Sequence, residues 1–239
     1  MNHLKGVIAP PTNRTLTDQV VRQLRTSIIL GHLRPDQHLV ELHLVEQLEV
    51  SRSTVREALR RLEAESLIKT SSHRGSSVAR LDPADAIEIC ELRAMLEAHA
   101  IGQLRLPVST SVQQQLDQIV RHMSALQFPD DVDRFIDLDH AFHQCLMIAA
   151  KRPRTLQMWN GISSLLSILV ALSVQHLNID GLTVAKRHQA IIDAVSQEDT
   201  EVAAAVIDGH YRSLESQIQD LISDNRLERG QSHGDSFTH

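Results

Sequence analysis

The stretch Val50-Ser51-Arg52-Ser53-Thr54-Val55-Arg56-Glu57-Ala58-Leu59-Arg60-Arg61-Leu62 leaves few folds open to this chain. Ser51 is a good helix N-cap, because its hydroxyl can accept from amides of the first turn. Val55, Leu59 and Leu62 recur at helical spacing and form a stripe that has to be buried. Just ahead, Leu44, Val45 and Leu48 mark a short helix that follows Glu41. Two short helices a few residues apart have helix-turn-helix spacing. A longer helix precedes them, with Val20, Val21, Leu24, Ile28 and Ile29 as its apolar face, Thr17 as its expected cap and Gly31 as its end. Leu33-Arg34-Pro35-Asp36 then makes a turn. Leu67-Ile68-Lys69-Thr70 and Ser77-Val78-Ala79-Arg80 are expected as two strands. Residues 71–76 between them carry His73-Arg74-Gly75, a small basic wing.

The polar side of the same pattern implies a polyanion. Arg52, Ser53, Thr54 and Arg56 sit at the N-terminal end of the second helix, where a recognition helix meets base edges and phosphates in the major groove. Arginine suits this task because its planar fork binds guanine or phosphate bidentately. Helix N-terminal amides at Ser51 add affinity for phosphate. Arg34, Lys69, His73, Arg74 and Gly75 complete the expected contact set. The charge distribution agrees. Residues 14–80 hold eleven basic and eight acidic side chains, whereas everything after residue 80 holds twelve basic and twenty-two acidic. A basic front and an acidic back suggest different partners for the two halves.

The back half reads as all-α. Leu81-Asp82-Pro83 is a junction, with Pro83 fit for a helix first turn. Helical patterns follow over about 83–105, 111–126, 131–150, 153–177, 182–196 and 198–225, broken at Pro107, Pro129, Pro153, Gly181 and Gln197-Glu198-Asp199. The apolar run Met158–Val174 contains Asn160 and four serines and reads as a buried helix rather than a membrane span. The expected divisions are a tail at 1–13, a winged helix-turn-helix at 14–80, a helical domain at 81–225 and a second tail at 226–239.

Fourteen histidines are many for 239 residues. Asp139 and His143 are four apart, so they share one helix face. His188 precedes the buried stripe Ile191, Ile192 and Val195, and His210 lies between Val206 and Leu214 at four-residue spacing. One aspartate and three histidines from three helices are a plausible donor set for zinc, nickel or manganese. His99, His122, His140 and His176 read as ordinary core or surface residues, and Cys145 as core rather than ligand.

Residues 39–78 closely resemble the DNA-binding domain of GntR-type bacterial transcription regulators. The resemblance runs through Ser51-Arg52, Val55-Arg56-Glu57-Ala58-Leu59, Leu62-Glu63, Leu67 and Arg74-Gly75. Glu49 replaces the family's turn glycine, Thr54 a common proline, and Ser66 the glycine usual before Leu67. A left-handed Glu49 would cost about 1 kcal/mol, unless the turn is built differently. The back half resembles the helical ligand-binding domain of the FadR branch, the FCD domain. The matching places are Glu91-Leu92-Arg93 with Leu96-Glu97, Asp139 with Phe142-His143, Arg187 through Ala194, and Ala203 through His210. In metal-binding members an Asp and three His hold a divalent ion beside a small carboxylate effector. Carried over, these are Asp139, His143, His188 and His210.

The resemblance implies a repressor of a double-stranded, palindromic operator, acting as a homodimer and answering to a small organic acid. The ion is expected to be zinc, with nickel or manganese as alternatives. Arg93 is expected either to clamp the effector carboxylate or to pair with Glu97. No enzymatic activity and no membrane partner are expected. Two cysteines and no visible secretory signal suggest a bacterial cytoplasm. Two other function classes stay open: a metal-dependent hydrolase of small carboxylates, and a DNA-binding protein with a purely structural metal.

Overall fold

The computed structural model describes residues 15–71, 75–177 and 179–223. Helix α1 (Leu16–Ile29) buries Val20, Val21, Leu24, Ile28 and Ile29. Its cap is Thr15 rather than Thr17. Thr15 and Asp18 close a reciprocal capping box, which needs an acceptor three residues beyond the cap, and Thr17 has Val20 at that place.

A two-residue strand, β1 (His38–Leu39), leads into α2 (Glu41–Leu48) and α3 (Arg52–Ala64). Glu49 ends α2 in the left-handed region, with φ 52° and ψ 40°. The turn is therefore built as it would be around glycine, and the strain is accepted. Ser66, at φ 59°, does the same before Leu67. Strands β2 (Ile68–Ser71) and β3 (Gly75–Val78) form the wing. β3 lies in the middle of an antiparallel sheet ordered β1-β3-β2, with Leu39 opposite Ser76 and Ile68 opposite Val78. The sequence pattern predicts two strands and misses β1, whose two residues are too few to display alternation. Val55, Ala58, Leu59, Leu62, Leu67 and Val78 make a core of their own under α1.

The six expected helices of the back half are present as α4 (Pro83–Ile101), α5 (Thr110–Met123), α6 (Val132–Ala149), α7 (Pro153–His176), α8 (Gly181–Val195) and α9 (Thr200–Ser223). Asp82 caps α4 on the amide of Ala84, with Pro83 in the first turn. α8 starts against the end of α5, so closely that a Cβ on Gly181 would lie 2.6 Å from the carbonyl oxygens of Met123 and Leu126. Only glycine fits there, and this contact sets where α8 enters the bundle. α7 is long and apolar enough to cross a membrane. Of its most apolar window, 56% is buried within the protein, with Trp159, Leu169 and Ala171 fully enclosed.

The two cores meet along α1 and α7. Leu165 and Ile168 of α7 pack on the front core. Arg22 of α1 pairs with Asp137 of α6 at 2.8 Å. Glu65, the residue capping the C-terminus of α3, accepts from Arg25 of α1 and from Ser164 of α7. A cavity of about 650 Å³ opens between α1, α6 and α7 beside these contacts.

Candidate metal centre and nucleic-acid interface

Asp139 and His143 face inward from α6, His188 from α8 and His210 from α9. One potential ligand atom from each lies within 4.8 Å of the others. His143 is completely buried and His188 almost so. The rings of His188 and His210 are 5.0 Å apart, and those of His143 and His210 are 5.2 Å apart.

The hydrogen bonds around the histidines select which nitrogen faces the centre. Val184 O, which can only accept, lies 2.9 Å from His188 Nδ1, so Nδ1 carries a proton. A neutral His188 then offers a lone pair at Nε2, and Nε2 faces the Asp139 carboxylate at 3.1 Å. Two acceptors at that distance require a cation between them, a proton or a metal ion. His143 Nδ1 lies 2.7 Å from Glu97 Oε2. Its Nε2 is buried, has no hydrogen-bond partner and is 3.8 Å from Asp139 Oδ1.

Electrostatics prepare the same groups. Burial pulls the His210 pKa well below its ordinary value, and the charges of His188 and His143 add to this, so the ring stays neutral. Burial would raise the Asp139 carboxyl, but the His188 hydrogen bond and the histidine charges outweigh it and keep the group ionised. Burial would lower His143, but the Glu97 carboxylate beside it wins and raises it.

Glu97, on α4, was not singled out as a site residue from the sequence. It is 1% exposed. Besides His143, it accepts from Tyr211 Oη at 2.7 Å and from the Trp159 indole, and it pairs with Arg93 at 2.9 Å. Burial would raise its carboxyl, but the charges of His143 and Arg93 and these hydrogen bonds hold it at about 2. Arg93 to Glu97 is an i,i+4 pair, which on a sequence looks like any surface ion pair. Arg93 is in fact enclosed. It stacks on the Trp159 ring at 3.9 Å, donates to Ser163 at 2.9 Å, and does not line the cavity next to the histidines. The expected effector clamp is thus placed behind Glu97, in the alternative arrangement considered from the sequence. His140 stacks on Trp159 outside the cluster. Cys145 donates to Gln115, away from the cluster.

At the other end of the molecule, Ser51 caps α3 by accepting from the amide of Thr54. Its hydroxyl is 2.9 Å from that of Ser53 and 2.8 Å from that of Thr54. Arg52 and Arg56 project from the first turns of α3 with side chains 69% and 60% exposed. Both are held by Glu41 of α2, whose carboxyl they keep below its ordinary value through hydrogen bonds, Arg56 first. Lys69 is exposed on β2. Arg34 sits in the turn before β1, where its amide donates to Gln37. Gly75 opens β3 at φ +72°. His73 and Arg74 lie outside the described residues.

Comparison with known proteins covers both halves of the chain. The pattern of the bacterial regulatory proteins, gntR family, matches residues 16–78, and that of the FCD domain matches residues 88–213, more than half of the chain. An uncharacterized HTH-type transcriptional regulator from an unstable DNA locus of Streptomyces ambofaciens is 28% identical over 89% of each chain. A probable D-xylose utilization operon transcriptional repressor of Paenarthrobacter nicotinovorans is 26% identical over 83% of this chain and 87% of its own. The solved structure of E. coli McbR/YncC superposes with a TM-score of 0.74 at 18% identity, covering 88% of this chain and 100% of that one. This chain belongs to the GntR family of bacterial transcription regulators and is a DNA-binding regulator of the branch that carries an FCD domain.

Proposed function

We propose that this regulator is a repressor whose operator affinity is set by a small organic acid bound beside a divalent metal ion, with zinc the first choice. The observation that carries this reading is the Asp139–His188 pair. The Asp139 carboxylate and His188 Nε2 face each other at 3.1 Å, with the orphaned Nε2 of His143 beside them. Asp139, His143, His188 and His210 fit a divalent ion by donor type and count. Such an ion, once bound, supplies a local charge of about +1 after one carboxylate and three neutral imidazoles. That charge draws an anion into an otherwise acidic domain. Glu97 orients the His143 ring, and the Val184 carbonyl orients the His188 ring, as outer partners of metal-binding histidines do.

The protein acts as a homodimer on a palindromic operator, because half-site spacing of about one DNA turn is a geometric requirement. The path to the DNA-binding end is short. α6 carries both Asp139 and the Asp137 that holds Arg22 of α1. α7 carries both the Ser163 that Arg93 holds and the Ser164 that holds Glu65, at the end of the recognition helix. Together with the junction at residues 81–83, these contacts carry a change in helix packing to the spacing of the recognition helices. The differential affinity involved is typically ~1–3 kcal/mol.

The test is operator binding with and without organic acids in His143→Ala and His188→Ala. Both variants should lose metal and lose the response to acid while still binding the operator. Variants that lose metal yet still respond would make the metal structural and place the effector elsewhere.

A further inference from the structure

The two halves of the molecule do not close against each other completely. The cavity of about 650 Å³ between them is walled by one face each of α1, α6 and α7. On α7 that face is Asn160, Ser163, Ser164 and Ser167, and on α6 it is Asp133, Ile136, Asp137 and His140. Both sets follow the spacing that puts side chains on one side of a helix. Asn160 and three of the four serines that interrupt the apolar run of α7 thus gather at one place. Helix faces that meet inside a protein are ordinarily apolar. Here Ile29 and Ile136 are the only aliphatic side chains in the wall, and the space left open is of the size that ligand sites have, about 300–1,000 Å³. None of the four metal donors lines it.

The charges of the wall define what it can take. Each of its arginines already has a carboxylate: Arg22 pairs with Asp137 and Arg25 with Glu65. Asp18 is paired with Arg61. Asp133 is the exception. Its carboxylate accepts from the amide of Arg134, and among the described residues it has no cationic partner. The Thr26 hydroxyl and the Asn160 amide also have no hydrogen bond among the described residues. An ammonium group answers Asp133, and hydroxyls answer Thr26 and Asn160, each of which can both donate and accept. An amino acid would bring a carboxylate with no free cation to meet it. A polyamine would lay its methylenes along a wall that is almost wholly polar.

We propose that this cavity is a second ligand site, separate from the metal centre, and that it takes an amino sugar, with Asp133 on the ammonium and Thr26 and Asn160 on the hydroxyls. α1 belongs to the DNA-reading half, and α6 and α7 to the helical half. A ligand held by all three fixes one half against the other, so its binding is coupled to operator affinity.

The test is calorimetric titration of the full-length protein with glucosamine, at a pH that keeps its amine protonated. Glucose, which lacks the amine, and N-acetylglucosamine, which lacks its charge, are the controls. Thermal unfolding of each variant reports folding. The wild type should bind glucosamine at least about tenfold more tightly than either control, the loss expected when a charge-assisted hydrogen bond is removed. Asp133→Asn should erase that preference, and Asn160→Leu should weaken glucosamine and glucose alike. His143→Ala should bind glucosamine as the wild type does, whatever becomes of its metal. In gel-shift titrations saturating glucosamine should change operator affinity about fivefold or more, and in Asp133→Asn it should not. No glucosamine bound by the wild type would mean that the cavity holds water only and would overturn the inference. Equal affinity for glucosamine and N-acetylglucosamine, or unchanged glucosamine affinity in folded Asp133→Asn, would overturn the assigned chemistry. Loss of glucosamine binding in folded His143→Ala would overturn its separateness from the metal centre, and binding with no change at the operator would overturn the coupling.

Discussion

At the scale of single residues, the protein is organised around Glu97. One carboxylate, removed from water, faces Arg93, the Trp159 indole, the Tyr211 hydroxyl and His143 Nδ1. Its removal leaves the Arg93 guanidinium buried without a counter-charge, a change that typically costs ~3–5 kcal/mol. It also frees the His143 ring to turn. Glu97→Gln should therefore lower stability by about 3 kcal/mol in urea unfolding and weaken metal binding roughly 10–100-fold in chelator competition. A Glu97→Gln protein with unchanged metal affinity would show that the His143 ring needs no such support. The four inward-facing donors were readable from the sequence because spacing of three or four along an apolar stripe reports which way a side chain points. Glu97 was not, since whether an Arg/Glu pair on a helix is exposed or enclosed depends on what packs over it.

At the scale of elements, α3 was the most legible part of the chain. Its cap, its stripe and its exposed arginines each follow from local rules that tertiary packing did not override. The places where sequence and structure part are short or strained. β1 is two residues long, and the first cap moved from Thr17 to Thr15 because a reciprocal bond to Asp18 was available. At Glu49 and Ser66 the family's turn geometry is kept without its glycines. Arg52 and Arg56 share the Glu41 carboxylate when no DNA is present. We propose that docking on DNA exchanges that contact for phosphates or base edges. Arg52→Ala and Arg56→Ala should each weaken operator binding by on the order of 1–3 kcal/mol in gel-shift titrations. A normal footprint from the double variant would refute α3 as the reading helix. Glu41→Gln should act in the opposite direction and tighten operator binding, because the arginines are no longer held.

At the scale of the whole molecule, Glu65 ties the DNA-reading half to the helical half. Burial would raise its carboxyl, but the Arg25 and Ser164 hydrogen bonds and the Arg25 charge outweigh that and hold it below its ordinary 4.5. A carboxyl lowered in the folded state contributes stability that is fully present above the unfolded value and is lost as pH falls through the folded one. The destabilisation caused by Glu65→Gln should therefore be constant from pH 7 down to about 5 and should shrink as pH falls further. Thermal unfolding across that range checks the sign. A difference that grows on acidification would mean that Glu65 is not ionised in the folded protein.

The central claim is that Asp139, His143, His188 and His210 form one metal site that links helices α6, α8 and α9. Metal analysis of tag-free wild type beside the His143→Ala and His188→Ala variants tests it most directly. The account predicts about one divalent ion per wild-type chain and loss of most of it in each variant. Full metal content in both folded variants would contradict it.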